Sequence, residues 1–188
     1  MKIFGIDKER RLLKMFDSGD AAAMDRLYAE YAGYLTGVAY RYVGNDDDLK
    51  DVLQESFIKI FTQISRFRYR GKGSLKAWLT RVVVNESLMY LRRSAQTLEV
   101  SIGIEPTDMA DDPPDESLPD ADTLASMIAR LPAGYRTVFN LYAIEGLSHK
   151  QIAHQLAITP GTSASQYHKA RMLLGRMIKE YKDEGREL

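Results

Sequence analysis

Between Lys59 and Arg93 the chain carries nine cations and one acid, Glu86. Arg66, Arg68, Arg70, Lys72 and Lys76 crowd into the stretch RFRYRGKGSLK, and Arg81, Arg92 and Arg93 follow. Phe67, Tyr69 and Trp78 are interleaved among them. Cations hold phosphates, and ring faces take bases that have left the duplex stack. The composition therefore suits single-stranded or melted nucleic acid. Trp78 falls on a helical apolar stripe and reads as core, whereas Phe67 and Tyr69 fit a core or a stacking platform equally well. A second group, Ser148 to Arg171 (SHKQIAHQLAITPGTSASQYHKAR), has a different chemistry. Ser148 and Gln151 form an S-x-x-Q capping box, followed by Ile152, Ala153 and Leu156 at helical spacing. Thr159 is a second N-cap, and Pro160 stands at the first helical position, where its missing N–H costs nothing. A short helix, a tight turn and a second capped helix make a helix-turn-helix, whose second helix can enter a major groove. Five cations and no acid lie between Glu145 and Glu180.

Other chemistries are poorly served. His149 and His154 are five residues apart, off the i, i+4 spacing of a helical zinc pair, and neither they nor His168 has a Glu within a turn. There is no G-x-S-x-G, P-loop or G-x-G-x-x-G, so the expectation is a non-enzyme with neither cofactor nor metal. With no cysteine among 188 residues, disulfides and thiolate metal sites are excluded. No apolar run approaches membrane-spanning length, and MKIFGIDKER lacks the apolar centre of a signal peptide, so a cytoplasmic protein is expected. The formal net charge is zero, but the average conceals segregation. Ser94 to Ala129 has no Lys or Arg and carries nine acids with Pro106, Pro113, Pro114 and Pro119.

The elements that must position these groups are all helical in pattern. Leu12, Leu13 and Phe16 mark a short first helix over Lys8–Phe16, broken by Asp17–Asp20. Leu27, Tyr31, Leu35, Val38 and Tyr42 stripe a long second helix over Ala21–Tyr42. Asp48 to Ser65 predicts a third, with Leu49, Leu53, Phe57, Ile60, Phe61 and Ile64 inward. Asp51, Gln54, Glu55, Ile58 and Lys59 lie outside that stripe, and Phe57 and Ile58 adjoin this polar surface as a candidate partner contact. Ser74 caps a fourth helix to Arg93, with Leu75, Trp78, Leu79, Val82, Val83 and Met89 toward a core. Arg81, Asn85, Leu88 and Arg92 occupy another of its faces. High charge of one sign with prolines cannot bury enough apolar surface to fold alone, so Gln96–Pro119 reads as a flexible acidic linker. As a coil its ends would lie roughly 25–30 Å apart, and extended roughly 80 Å. Two helices over Asp122–Leu131 and Tyr135–Glu145 precede the helix-turn-helix. At 100° per residue, Ser163, Tyr167, Ala170, Leu174, Met177 and Tyr181 face a core. Ser165 and His168 point the opposite way, flanked by Ala164 and Lys169. The expected fold is all-α: two small helical domains, 1–95 and 122–188, joined by an acidic flexible linker, 96–121.

Asp48-Leu49-Lys50-Asp51-Val52-Leu53-Gln54-Glu55-Ser56-Phe57 resembles the D-x-x-D-x-x-Q-E-x-F motif of sigma-70-type factors of bacterial RNA polymerase. Ser74 to Arg93 is similar to the stretch F-x-x-W-L-x-R-I-x-x-N-x-x-x-D-x-x-R-R that follows it in that family. Leu131-Pro132…Tyr135-Arg136 and Gly146 to Arg171 resemble its -35-reading region. The length has no room for the extra domains of housekeeping sigma factors, which points to the minimal, extracytoplasmic-function group. The resemblance implies roles. Asp51, Gln54, Glu55, Phe57, Ile58 and Lys59 would contact core RNA polymerase. Arg68, Arg70, Lys72, Gly73, Ser74, Lys76, Arg81, Asn85, Arg92 and Arg93 would hold the melted -10 promoter element, with Lys72–Lys76 as the loop accepting a flipped base. Lys150, Thr162, Ser163, Ala164, Ser165, Gln166, His168, Lys169 and Arg171 would read the duplex -35 element. An anti-sigma factor would be a further partner.

Departures from the family pattern concentrate in the helix-turn-helix. Ala157 stands where Gly is usual, Ala164 where Lys or Arg is usual, and Gln166, Tyr167 and Lys169 replace Arg, Leu and Arg. Two expected cations are therefore missing, and phosphate attraction should be weaker. The rival reading is a helix-turn-helix regulator with a helical N-terminal sensor or dimerisation domain. Such a domain does not need the basic, aromatic Arg66–Arg93 stretch.

Overall fold

The computed structural model describes residues 7–97 and 119–186, with the side chains of 94–97 and 184–186 excepted. The acidic stretch 98–118, most of the expected linker, lies outside the described residues. Those described are helical, with no strand among them, and fall into two compact units, one within 1–99 and the other within 100–188.

The first unit holds four helices. The Asp7 side chain accepts from the Glu9 N–H and starts α1 (Lys8–Asp17). Gly19, at φ 70°, turns the chain, and the Asp20 carboxylate accepts from the Ala22 N–H ahead of α2 (Ala23–Tyr40). Leu27, Tyr31, Leu35, Val38 and Tyr42 are all buried, as their spacing predicts. Asn45 caps α3 (Asp46–Gln63) by accepting from the Asp48 N–H at 2.9 Å, so the helix begins two residues before the predicted start. Asp46, Asp47 and Asp48 in its first turn face the positive end of the helix dipole. A 3₁₀ turn, Ile64–Arg66, ends it, and α4 (Ser74–Thr97) packs on both α2 and α3.

Two stripes are corrected. On α3 the buried positions are Leu49, Val52, Ser56, Ile60 and Ile64, while Leu53, Phe57 and Phe61 are only half-buried. The inward face is rotated by part of a turn, and Ser56 tolerates it because its hydroxyl donates to the Val52 carbonyl at 2.6 Å. On α4, Leu88 is buried with Leu75, Leu79, Val83 and Val84, whereas Trp78, Val82 and Met89 lie on the flank. Leu88 thus belongs to the core, not to the face of Arg81 and Arg92.

The second unit is built on α8 (Pro160–Arg186), against which α5 (Ala121–Ala129), α6 (Ala133–Phe139) and α7 (His149–Leu156) pack. The Asp120 carboxylate accepts from the N–H groups of Asp122 and Thr123 and from the Thr123 hydroxyl, which holds its carboxyl below the usual range. The predicted Tyr135–Glu145 helix is in fact α6 continuing into a π-helical turn, Asn140–Ile144, closed by Gly146 at φ 71°. Met127, Ile128, Leu131, Ala170 and Leu174 form the core, with Phe139, Leu173, Met177 and Ile178 around it. Tyr181, predicted inward, is exposed. At 27 residues, roughly 40 Å, α8 outruns the shorter helices that would cover it.

Both caps of the helix-turn-helix form as read. Ser148 accepts from the Gln151 N–H while the Gln151 side chain accepts from the Ser148 N–H, and Thr159 accepts from the Thr162 N–H at 3.0 Å. Ala157 ends α7 at φ 56°, ψ 41°, and is the one non-glycine residue at positive φ among the described residues. A Cβ in the left-handed region costs about 1–2 kcal/mol, of which the greater freedom of unfolded Gly returns part. Ala157→Gly should therefore stabilise the second unit by about 0.5–1 kcal/mol. Chemical denaturation measures it, and an unchanged or lower midpoint would contradict the strain.

Candidate nucleic-acid interface

In the first unit the cations of the basic loop and of α4 are open to solvent. Arg68, Arg70, Lys72, Gly73 and Lys76 are exposed, and Ser74 is half-buried with its hydroxyl accepting from the Arg70 N–H. Arg81, Asn85, Arg92 and Arg93 are exposed along α4. Arg81 and Arg92 are eleven positions apart, so they stand on one face about 16 Å apart. The aromatics between the cations are packed. Phe67 lies against Trp78 with ring centroids 5.2 Å apart. The Tyr69 hydroxyl donates to the Asp7 carboxylate, a bond that pushes its phenol up to about 12, and the Arg10 guanidinium lies 6.0 Å from its ring. The surface thus offers cations and glycine backbone, with its rings held in place behind them.

The polar face of α3 keeps Asp51, Gln54 and Glu55 in solvent, with Ile58 half-exposed beside them. Phe57 is half-buried, 4.9 Å from the Tyr28 ring and 5.8 Å from Phe61. Lys59 is placed otherwise: its ammonium turns inward to the Glu86 carboxylate at 2.6 Å and sits 3.8 Å from the Met89 sulfur.

On α8, Thr162, Ala164, Ser165, His168 and Arg171 are exposed, as is Lys150 on α7. Gln166 and Lys169 lie on the flank toward α6. Gln166 approaches Gly134, and the Lys169 ammonium is 6.0 Å from the Tyr135 ring. Ser163 is fully buried, with its hydroxyl 3.0 Å from His149 Nδ1. It belongs with the core stripe its helical angle gives, and it stands inside rather than on the open face. His149 also stacks on Tyr142 at 4.4 Å and 13°, and Tyr142 meets Tyr167 at 4.4 Å. Aromatic contact of this geometry ties α7 to α8 through the π-helical turn that carries Tyr142.

Residues 27–97 match the model described as Sigma-70 region 2, and residues 121–174 match the one described as Sigma-70, region 4. The ECF RNA polymerase sigma-E factor of Haemophilus influenzae is 30% identical over 182 residues, 90% of this chain and 95% of that protein. The chain belongs to the extracytoplasmic-function group of sigma-70-type factors. This ECF sigma factor is likewise 31% identical to the ECF RNA polymerase sigma factor SigE of Mycolicibacterium smegmatis, over 90% of this chain and 68% of that one. In fold it is similar to the sigma factor RpoE solved in complex with the anti-sigma factor NepR from Bartonella quintana. That structure has a TM-score of 0.50 and 21% identity, and the match covers 85% of this chain and 98% of that chain. The membership decides against the sensor-domain reading.

Sequence reading misses three groups that lie beside these candidate residues in this ECF sigma factor. Tyr34 on α2 takes the Lys76 ammonium over its ring at 3.9 Å and bonds Thr80 at 3.0 Å. Tyr28 packs beside Phe57, and Met24, one turn earlier on α2, is exposed. Glu9 on α1 reaches the loop before α4. Tyr34 and Tyr28 are the off-stripe aromatics of α2, and their exposure was the available signal. No local signal marks Glu9.

Proposed function

We propose that this chain binds core RNA polymerase, directs it to promoters with -35 and -10 elements, and promotes DNA melting at the start of transcription. Residues 1–95 bind the polymerase and the -10 element, 96–121 form the acidic linker, and 122–188 bind the -35 element. Asp51, Gln54, Glu55, Phe57 and Ile58 meet the polymerase, and Lys59 backs that helix through Glu86. The loop Arg68–Lys76 and the row Arg81, Asn85, Arg92 and Arg93 hold the melted strand. Thr162, Ala164, Ser165, His168 and Arg171 enter the groove, with Gln166, Lys169 and Lys150 at its edge. The chain works in the cytoplasm with no catalytic step of its own, and an anti-sigma factor is its third partner. The observation that carries the reading is the exposed cations Arg81, Arg92 and Arg93 of α4, preceded in the chain by an exposed basic loop with two glycines at positive φ, together with a doubly capped helix-turn-helix.

Arg81→Ala/Arg92→Ala tests it in run-off transcription with core polymerase. Open-complex formation should fall about tenfold or more, and -35 duplex binding should stay within about twofold. Two lost single-strand phosphate contacts should also flatten the log–log salt slope by about 1.4. Equal loss of -35 and -10 function would refute the division of labour, and no promoter-specific transcript from the wild type would refute the whole.

A further inference from the structure

Glu9 is a carboxylate on the first helix, yet it is buried, 7% exposed, and committed to backbone sixty-odd residues away. One oxygen accepts from the N–H groups of Gly73 at 2.9 Å and Leu75 at 3.3 Å, and the other from Lys76 at 3.1 Å. The four N–H donors left open at an α-helix N-terminus are normally satisfied by a local cap or by water. Here a side chain from α1 takes N–H groups of the first turn of α4. Ser74, the expected local cap, instead bonds Arg70 within the loop. Asp7, two residues earlier on the same turn of α1, receives the Tyr69 hydroxyl. Residues 69 to 76 are thereby gripped at both ends by two carboxylates of one helix. Between the grips the loop passes through Gly71 at φ 128° and Gly73 at φ 87°, conformations that L side chains rarely adopt. Glycine permits this shape but does not impose it.

We propose that Glu9, with Asp7, is a positioning element for -10 recognition: the α1 carboxylates set the shape of the loop that reads the melted strand and keep phosphate off the α4 N-terminus. The inference rests on the reading of Arg68–Lys76 as the strand-binding loop. A bare helix N-terminus with free N–H groups binds phosphate without regard to base. Filled by Glu9, it leaves phosphate to Arg70, Lys72 and Lys76 and reserves the glycine backbone for a base. Two effects of opposite sign follow from removing the charge. Discrimination between bases falls, because the loop loses its fixed shape. Sequence-independent strand affinity rises, because the helix N-terminus opens to phosphate. A purely structural role produces no such rise.

The test uses the full chain bound to core RNA polymerase and a randomised pool of fluorescent single-stranded DNA, from which the wild-type base preference is first selected. In Glu9→Gln, preference at the loop position should fall about tenfold while affinity for non-preferred strands rises about two- to fivefold. Tyr69→Phe, which keeps the ring and frees Asp7, should lower preference in the same direction by a smaller factor. If Glu9→Gln loses its thermal transition, Glu9→Asp decides: it keeps the charge but is one methylene short, and it should lose preference without gaining non-specific affinity. Folded Glu9 variants that keep the full wild-type preference overturn the proposal alone. A wild-type complex with no base preference in single strands overturns the reading of the loop, and the proposal with it.

Discussion

Replacing Lys59 by Met is expected to lower the stability of the first unit by about 2–3 kcal/mol. The reason is what it leaves behind. The Glu86 side chain is only 9% exposed on α4, and the Lys59 ammonium lies 2.6 Å from its carboxylate. Removing one member of a buried pair strands the other, at about 3–5 kcal/mol when both are fully inside. The lysine is about a third exposed, at 35%, which moderates the figure. Met preserves the stem beside Met89, so the loss reports charge and not volume. The double variant Lys59→Met/Glu86→Leu should recover most of it, since an apolar pair of similar size often equals a buried ion pair. Urea unfolding of the wild type, Lys59→Met, Glu86→Leu and the double variant closes the cycle, and a single Lys59→Met variant as stable as wild type would show that Glu86 is hydrated instead. The recovered double variant also separates two uses of Lys59: if it still assembles with polymerase, that side chain serves the helix pair and not the partner.

Arg136→Ala should cost the second unit about 2–4 kcal/mol. Arg136 is a buried guanidinium, and it donates to the carbonyls of Ala129 at 2.6 Å and Leu131 at 3.4 Å. Those carbonyls sit where α5 ends and the chain turns through Pro132 into α6. Alanine removes a charge-assisted cap from buried acceptors and leaves a space the length of an arginine stem. Both bonds leave one nitrogen, Nη1, so Arg136→Lys should rescue only part of the loss, the part that a compact ammonium on a shorter side chain can still reach. Thermal unfolding followed by far-ultraviolet circular dichroism reads both, and full rescue by lysine would show that charge alone holds the corner.

Local signals were legible and distant ones were not. Ser148, Gln151, Thr159 and Pro160 form their caps within four residues, so their types and spacing suffice. The α2 stripe reads correctly because apolar residues occupy one face and leave no competing choice. On α3 two sets compete, Leu49-Val52-Ile60-Ile64 and Leu53-Phe57-Phe61, and only packing against α2 and α4 selects the first. A buried serine hides within the winning set, since a hydroxyl that bonds its own helix passes for a polar surface position. The open face of α8 follows from helical angle for Ser165 and His168, whereas Gln166 and Lys169 are drawn aside by residues of α6. Arg136 belongs to a recognisable family stretch without revealing there that it is buried. Glu9 acts across more than sixty residues of chain, a relation no local pattern encodes.

The packing of Phe67 on Trp78 has an optical consequence. Trp78 is the only indole in the chain, and it belongs to the first unit, beside the basic loop. The second unit carries four tyrosines and Phe139 but no tryptophan. Emission excited selectively from indole therefore originates in the first unit, at the start of the helix that carries the cation row. Tyrosine circular dichroism includes the stacked group on α7 and α8. A ligand that acts on the first unit can thus be followed by indole emission in the unlabelled protein.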